Sequence, residues 1–140
     1  MSMYGRDVDE WDQLTEVGLE FLIERARLRK VTSYTELNAA LARRVKVRSF
    51  DFERADERAA MGHLLGRIVK RNLPATGLMI SALVHYLDAN DAGSGFYKLA
   101  EQLGLLKRGA SQRAKEKFWI NQINALYDHY TQISSAAGQS

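Results

Sequence analysis

The chain has 140 residues, a length typical of a single domain that buries its own core without metal ions or disulfides. It contains no cysteine, which excludes thiol catalysis, disulfide cross-links, thiolate zinc sites and iron–sulfur clusters. Its net charge is only +3, no apolar run approaches the roughly 20 residues of a membrane span, and no signal-peptide pattern opens the chain. We therefore expect a cytoplasmic protein with no membrane association.

The elements predicted in the first half of the chain are helices. Residues 1–8 are predicted to be disordered. From Asp9 the apolar residues recur at steps of three and four, which predicts an amphipathic first helix. Ser33, with a glutamate three residues later, has the spacing of a capping box, so a second helix should begin there. A third helix should begin near Asp56 and stop at Pro74, the only proline.

The second half mixes one strand with further helices. The apolar, partly β-branched run from Leu78 to Leu87 predicts a strand, residues 88–95 a turn-rich loop, and residues 96–103 a short helix. Ser111 should cap a long last helix. The sequence thus predicts a mainly α, compact single domain with one or two short strands and a long C-terminal helix. Its expected layout is a disordered start (1–8), one helical domain (9–133) and a disordered tail (134–140).

The sequence shows no catalytic or metal-binding motif. The three histidines are scattered and form no pair at ligand spacing. Residues 88–93 resemble the start of a calcium loop, but Ala92 and Leu99 stand where oxygen ligands are required. We therefore expect no cofactor, no metal and no enzymatic activity. The alternative is an enzyme whose active-site residues come together only on folding. Its candidate active-site residues would be Tyr34, His63, His85, Asp88 and Tyr97.

Charge is distributed unevenly along the chain. Residues 1–24 carry seven acids and one base, whereas residues 25–48 carry eight bases and one acid. The most basic stretch, Arg43 to Arg48, lies between the second and third predicted helices and is a candidate phosphate-binding segment. The alternative is that acidic and basic surfaces pair within the fold or are simply solvated.

One part of the chain carries a family resemblance. The sequence VTSYTEL at 31–37 resembles the V-x-S-Y-G-x-L-A start of the winged-helix DNA-binding domain of O6-alkylguanine-DNA alkyltransferases and alkyltransferase-like proteins. AMGHLL at 60–65 resembles that family's A-V-G-x-A-L on the recognition helix, and NLP at 72–74 is similar to the asparagine–proline stretch after it. The resemblance covers about residues 28–74. It implies a helix-turn-helix-like core in which Tyr34 presses on a DNA phosphate.

The chain also departs from that family. Ala59 stands where the family has its intercalating arginine, and residues 79–82 (MISA) stand where it has Pro-Cys-His-Arg. Without a cysteine, alkyl transfer is excluded. The helix-turn-helix-like core and the basic segment together predict a small non-enzymatic protein that binds duplex DNA. The predicted nucleic-acid contacts are Tyr34, Arg43, Arg44, Lys46, Arg48, Arg58, Arg67, Lys70 and Arg71.

A protein-interaction module, acting as a homodimer or as an accessory subunit in a complex, is the alternative function. The acidic first helix and the basic block could steer association through opposite charges. The last helix adds a wide aromatic face, which either belongs to the core or covers a partner chain. That candidate partner interface consists of Phe118, Trp119, Tyr127 and Tyr130.

Overall fold

A computed structural model describes residues 2–86 and 93–139, with side chains as far as Thr131. Within those residues the chain is mainly helical, with five α-helices, one 3-10 turn and two short parallel strands in a compact single body. The fold class predicted from the sequence is confirmed. In chain order the elements are α1 (Val8–Arg27), β1 (Thr32–Ser33), α2 (Tyr34–Arg44), α3 (Ala55–Thr76), the 3-10 turn (Ile80–Leu83), β2 (Val84–His85), α4 (Ser94–Gln102) and α5 (Gln112–Gln139).

Side-chain caps begin three of the helices. The Asp7 carboxylate accepts a hydrogen bond from the backbone N–H of Glu10 over 2.9 Å at the start of α1. The Ser33 hydroxyl accepts one from the N–H of Glu36 over 3.1 Å, as the capping-box spacing predicted. Ser111 does the same for α5 over 3.1 Å. These starts depend on neighbouring residues only, which is why they are readable in the sequence.

Pro74 does not stop α3, contrary to prediction. The helix continues to Thr76 and ends at Gly77, whose φ of 70° is the left-handed conformation that glycine adopts without strain. A proline removes only one backbone donor, and here that loss falls in the last turn of the helix. The glycine, rather than the proline, therefore sets the end of α3.

The strand predicted for residues 78–87 is mostly a 3-10 turn. Only Val84 and His85 form a strand, and they pair in parallel with Thr32 and Ser33. Residues from Met79 to Val84 are all buried, so the apolar run has no exposed face from which a period could be read. Leu87 and residues 88–92, most of the predicted loop, lie outside the described residues, and α4 begins already at Ser94.

The described residues at both chain ends have regular backbone structure. Met3 and Arg6 form a backbone bridge with N···O distances of 2.9 and 3.0 Å, and the Trp11 indole N–H donates to the Met3 carbonyl over 3.1 Å. Arg6 is fully buried, so this segment packs on the domain. At the other end, the backbone of α5 is helical as far as Gln139, where a disordered tail was predicted over 134–140.

α1 lies at the centre of the fold, packed against α2, α3, α5 and the 3-10 turn. A Cβ atom on Gly18 of α1 would lie 2.8 Å from Cδ1 of Ile68 in α3, so glycine is what lets the two helices approach. The connection between α2 and α3 is held by Asn38, whose side-chain amide exchanges hydrogen bonds of 2.8 and 2.9 Å with the backbone of Phe50. None of the described helices is both long and apolar enough to cross a membrane.

Candidate nucleic-acid interface

Two of the predicted phosphate-binding arginines pair with acids of α1. Arg44 donates to the Glu24 carboxylate of α1 over 2.9 Å. Arg67 donates to Asp12 over 2.6 Å and to the Thr15 hydroxyl over 3.0 Å, which joins α3 to α1. For these arginines the structure supports the alternative that acidic and basic surfaces pair internally. Of the acids in residues 1–24, Glu24 thus pairs with the basic block, whereas Asp12 pairs with an arginine outside it.

Arg48 belongs to a buried ion cluster that the sequence did not predict. The Glu57 carboxylate accepts from Arg6 Nη1 over 2.8 Å and from Arg48 Nη1 over 2.8 Å. The Arg6 guanidinium also lies 4.1 Å from the centroid of the Phe50 ring. Arg6 and Glu57 are 0% and 2% exposed, and the hydrogen bond from Arg6 lowers the pKa of Glu57 against the opposing effect of burial. Arg48 is thus engaged in holding the fold together.

Lys46 faces acidic residues across a shallow cleft. Asp7, Asp9 and Glu10 at the start of α1 line the same cleft. Lys46 and Arg43 are both exposed and form no hydrogen bond or ion pair with any described residue. The segment from Arg43 to Arg48 therefore lies beside acids of α1. These acids offset part of its positive charge at the place where phosphates were predicted to bind.

A row of residues runs along α3, and its first member, Arg58, donates from Nη1 to the Phe52 carbonyl over 2.6 Å. Arg58, Gly62, Gly66 and Lys70 follow at steps of four residues, so they form one inclined row on the helix surface that turns through about 120° from Arg58 to Lys70. Arg58 and Lys70 are exposed, and a Cβ atom built on either glycine would meet nothing within 4 Å. At 1.5 Å per residue, the two bases are about 18 Å apart along the axis. We call these four residues the α3 edge; Arg71, also exposed, lies just outside it.

The α3 edge borders a groove of about 610 Å³. Gly62 and Gly66 line one wall of the groove, and Lys98 and Gln102 of α4 line the other. Among the described residues that line the groove, Lys98 alone is charged. The groove therefore carries one positive charge, and its α3 wall consists of the two glycines with the apolar side chains of Ala59 and Leu65.

Tyr34 lies at one end of this groove with a fixed ring. It stacks on Tyr86 with ring centroids 4.6 Å apart and meets the edge of Phe52 at 6.5 Å. Arg58 lines a second small cleft beside the same rings. Burial, with a smaller contribution from Tyr86, raises the pKa of Tyr34 well above its ordinary value. Its phenol therefore stays neutral and does not repel an anion.

The aromatic face of α5 is largely used by the chain's own core. The Trp119 indole N–H donates to the Ala82 carbonyl over 2.8 Å, and the Tyr130 hydroxyl accepts from the Asn72 side chain over 2.8 Å. Both rings are buried. The other two predicted partner-interface residues are half-buried: Phe118 packs near Phe96 and Tyr127 lies under the Arg29 guanidinium. The structure thus places this face inside the fold rather than open to a partner chain.

The candidate active-site residues of the enzyme hypothesis do not share one cavity in the described structure. Tyr34 lines the groove on α3, whereas Tyr97 lines a separate cavity of about 340 Å³. His63 packs against a tryptophan of α1, and His85 lies in β2. Asp88 lies outside the described residues. Over the described ranges 2–86 and 93–139, no three acidic or histidine side chains are grouped so as to hold a metal ion.

No protein-family model, curated protein or solved structure matches this chain. The resemblance of residues 28–74 to the alkyltransferases therefore stays a prediction.

Proposed function

We propose that this protein is a non-enzymatic DNA-binding protein that holds duplex DNA against the α3 edge. The observation that carries the proposal is the line of Arg58, Gly62, Gly66 and Lys70, in which two exposed bases flank open helix backbone. Lys98 and the neutral phenol of Tyr34 stand beside it. Glycine lets the DNA backbone come close, and the bases and hydroxyl supply the phosphate contacts.

The α3 edge favours binding without strong sequence preference. Base reading in the major groove requires side chains that reach base edges, and the middle of the α3 edge has none. The separation of about 18 Å between Arg58 and Lys70 corresponds to about five base pairs along one strand. Phosphates at that spacing can be contacted without any base being read. The resemblance to a helix-turn-helix core agrees with α3 as the DNA-facing helix, although residues 45–54 make a longer connection than the turn of that motif.

A salt titration tests the proposal. Binding of random-sequence duplex, followed by fluorescence anisotropy, should weaken steeply with salt because phosphate contacts release counterions. The double variant Arg58→Gln/Lys70→Gln should bind at least about tenfold more weakly at low salt and reduce the slope of log affinity against log salt by about two. The matched control Arg27→Gln/Lys30→Gln removes the same charge from exposed positions at the far end of α1 and should retain most of the affinity.

Equal weakening by the two double variants would contradict the α3 assignment, because the effect would then follow net charge alone. Absence of salt-dependent binding by the unaltered protein would contradict DNA binding itself.

A further inference from the structure

A second basic surface lies where α5 begins. Residues 107–117 carry five bases and a single acid, and every residue in this stretch is charged, polar or small. We call the five bases, Lys107, Arg108, Arg113, Lys115 and Lys117, the α5 patch. All except the half-buried Lys115 are exposed.

Few acids lie beside the α5 patch: Glu116 lies within the stretch, and Glu101 lines the same cavity as Lys115. No member forms an ion pair within residues 2–86 and 93–131. Lys115 instead lies 5.8 Å from the centroid of the Tyr97 ring. Glu116, the acid inside the stretch, is engaged by the side chain of Gln112 over 3.4 Å. The patch therefore differs from Arg44, Arg48 and Arg67, whose charges are paired.

Helix stability does not account for these bases. Positive side chains near a helix N-terminus oppose the helix dipole, and acids are favoured there. α1 and α3 follow this rule with acids in their first turns, whereas α5 has no acid in its first turn. Arg113 lies within that turn. The patch thus costs the fold some stability, which a bound polyanion would offset.

The α5 patch is continuous with the groove on α3. Lys98 of α4 lines that groove and also lines the cavity of about 340 Å³ between α4 and α5. Lys115 lines the same cavity on the α5 side. Glu101 also lines that cavity, so the surface from the α3 edge across α4 to the start of α5 carries two lysines and one acid there, a net charge of +1.

We propose that the α5 patch is a second phosphate-binding surface that holds the backbone of the same duplex as the α3 edge. This inference rests on the proposed DNA-binding function and extends its footprint. The centres of protein–protein interfaces are depleted of charge and rich in aromatic residues, and the stretch 107–117 has the opposite character. A row of exposed bases among small residues fits the repeated charge of a sugar–phosphate backbone.

The test uses the full chain with the double variant Arg113→Gln/Lys117→Gln, two bases one helical turn apart. Lys115 is left in place because its ammonium packs on Tyr97. We expect at least about tenfold weaker binding of random-sequence duplex at low salt and a salt slope smaller by about two. The melting temperature should stay unchanged or rise, because a base has been removed from a helix start. Weaker binding by a protein at least as stable cannot come from misfolding.

The outcomes separate this inference from the proposed function. If Arg113→Gln/Lys117→Gln binds like the control Arg27→Gln/Lys30→Gln while Arg58→Gln/Lys70→Gln is weakened, the α5 assignment is wrong and the α3 assignment holds. If the unaltered protein shows no salt-dependent DNA binding, both fail. If polyglutamate or vesicles of anionic lipid bind the α5 patch and duplex DNA does not displace them, the patch serves an acidic protein or a membrane, and the inference is overturned.

Discussion

Arg6 Nη1 donates to Glu57 Oε2 over 2.8 Å, and both side chains are closed to solvent. The pair joins the segment before α1 to the first turn of α3 across 51 residues of sequence. A buried carboxylate and a buried guanidinium compensate each other, and either one alone would be an unpaired charge in the core. The ordered start of the chain follows from this contact.

Replacing Glu57 by glutamine should destabilise the protein by about 3 kcal/mol at neutral pH, since it leaves the Arg6 charge buried without its partner. Urea denaturation of the two proteins measures the difference. Arg48→Gln is the matched control, because Arg48 contacts the same carboxylate with a side chain that is 48% exposed. It should cost less than about 1 kcal/mol.

The effect of Glu57→Gln should depend on pH. The pKa of the Glu57 carboxyl lies below its ordinary value of 4.5. Its contribution to stability is therefore complete above that ordinary value and is lost as the pH falls through the lowered pKa. The stability gap between the two proteins should narrow in acid. A gap that stayed constant would contradict the assignment of the effect to the Arg6–Glu57 charge pair.

Local signals in the sequence predict the helices well. Contacts between distant residues have no such signal. Ser33 and Ser111 were identified as caps because a cap involves residues three apart. The partners of Arg6 and Arg67 lie 51 and 55 residues away, and no sequence pattern indicates which acid a given arginine will meet. The sequence of the 3-10 turn Ile80–Leu83 instead predicts a strand, because a segment buried on all sides shows no period that would distinguish the two.

The candidate site was predictable only in part. The sequence predicts both Tyr34, which lines the groove on α3, and Arg58, which lines the second cleft beside the Tyr34 ring. The basic stretch from Arg43 to Arg48 gave the strongest charge signal, yet the fold uses much of that charge internally. The α5 patch is not among the contacts predicted from the sequence, although its five bases lie within residues 107–117, and Lys98 joins them only where α4 meets α5. A count of bases over that interval would have indicated the patch.

Trp119 provides a test of whether the aromatic face of α5 is core or interface. Trp119→Phe removes the N–H that satisfies the buried Ala82 carbonyl, so unfolding in denaturant should become easier by about 1–3 kcal/mol. Ile120→Ala changes the neighbouring residue, which is 50% exposed, and should alter stability by less than about 0.5 kcal/mol. A shift in sedimentation with unchanged stability for Trp119→Phe would instead indicate that the ring covers a partner chain.

His63 reports on whether DNA lies along the α3 edge. Its ring packs 4.7 Å from the Trp11 ring, and its pKa lies below the ordinary 6.5 because of burial first, then the positive charges of Arg67 and Lys70. A phosphate held by Lys70 offsets part of that positive charge, so duplex DNA should raise the pKa of His63. By linkage, binding should then take up protons and strengthen as the pH falls through this range.

Proton NMR of the imidazole ring measures the pKa of His63 in the free and in the DNA-bound protein. In Lys70→Gln the free protein should show a higher His63 pKa, and DNA should shift it less. A His63 pKa that is unmoved by saturating DNA would place the duplex elsewhere on the protein.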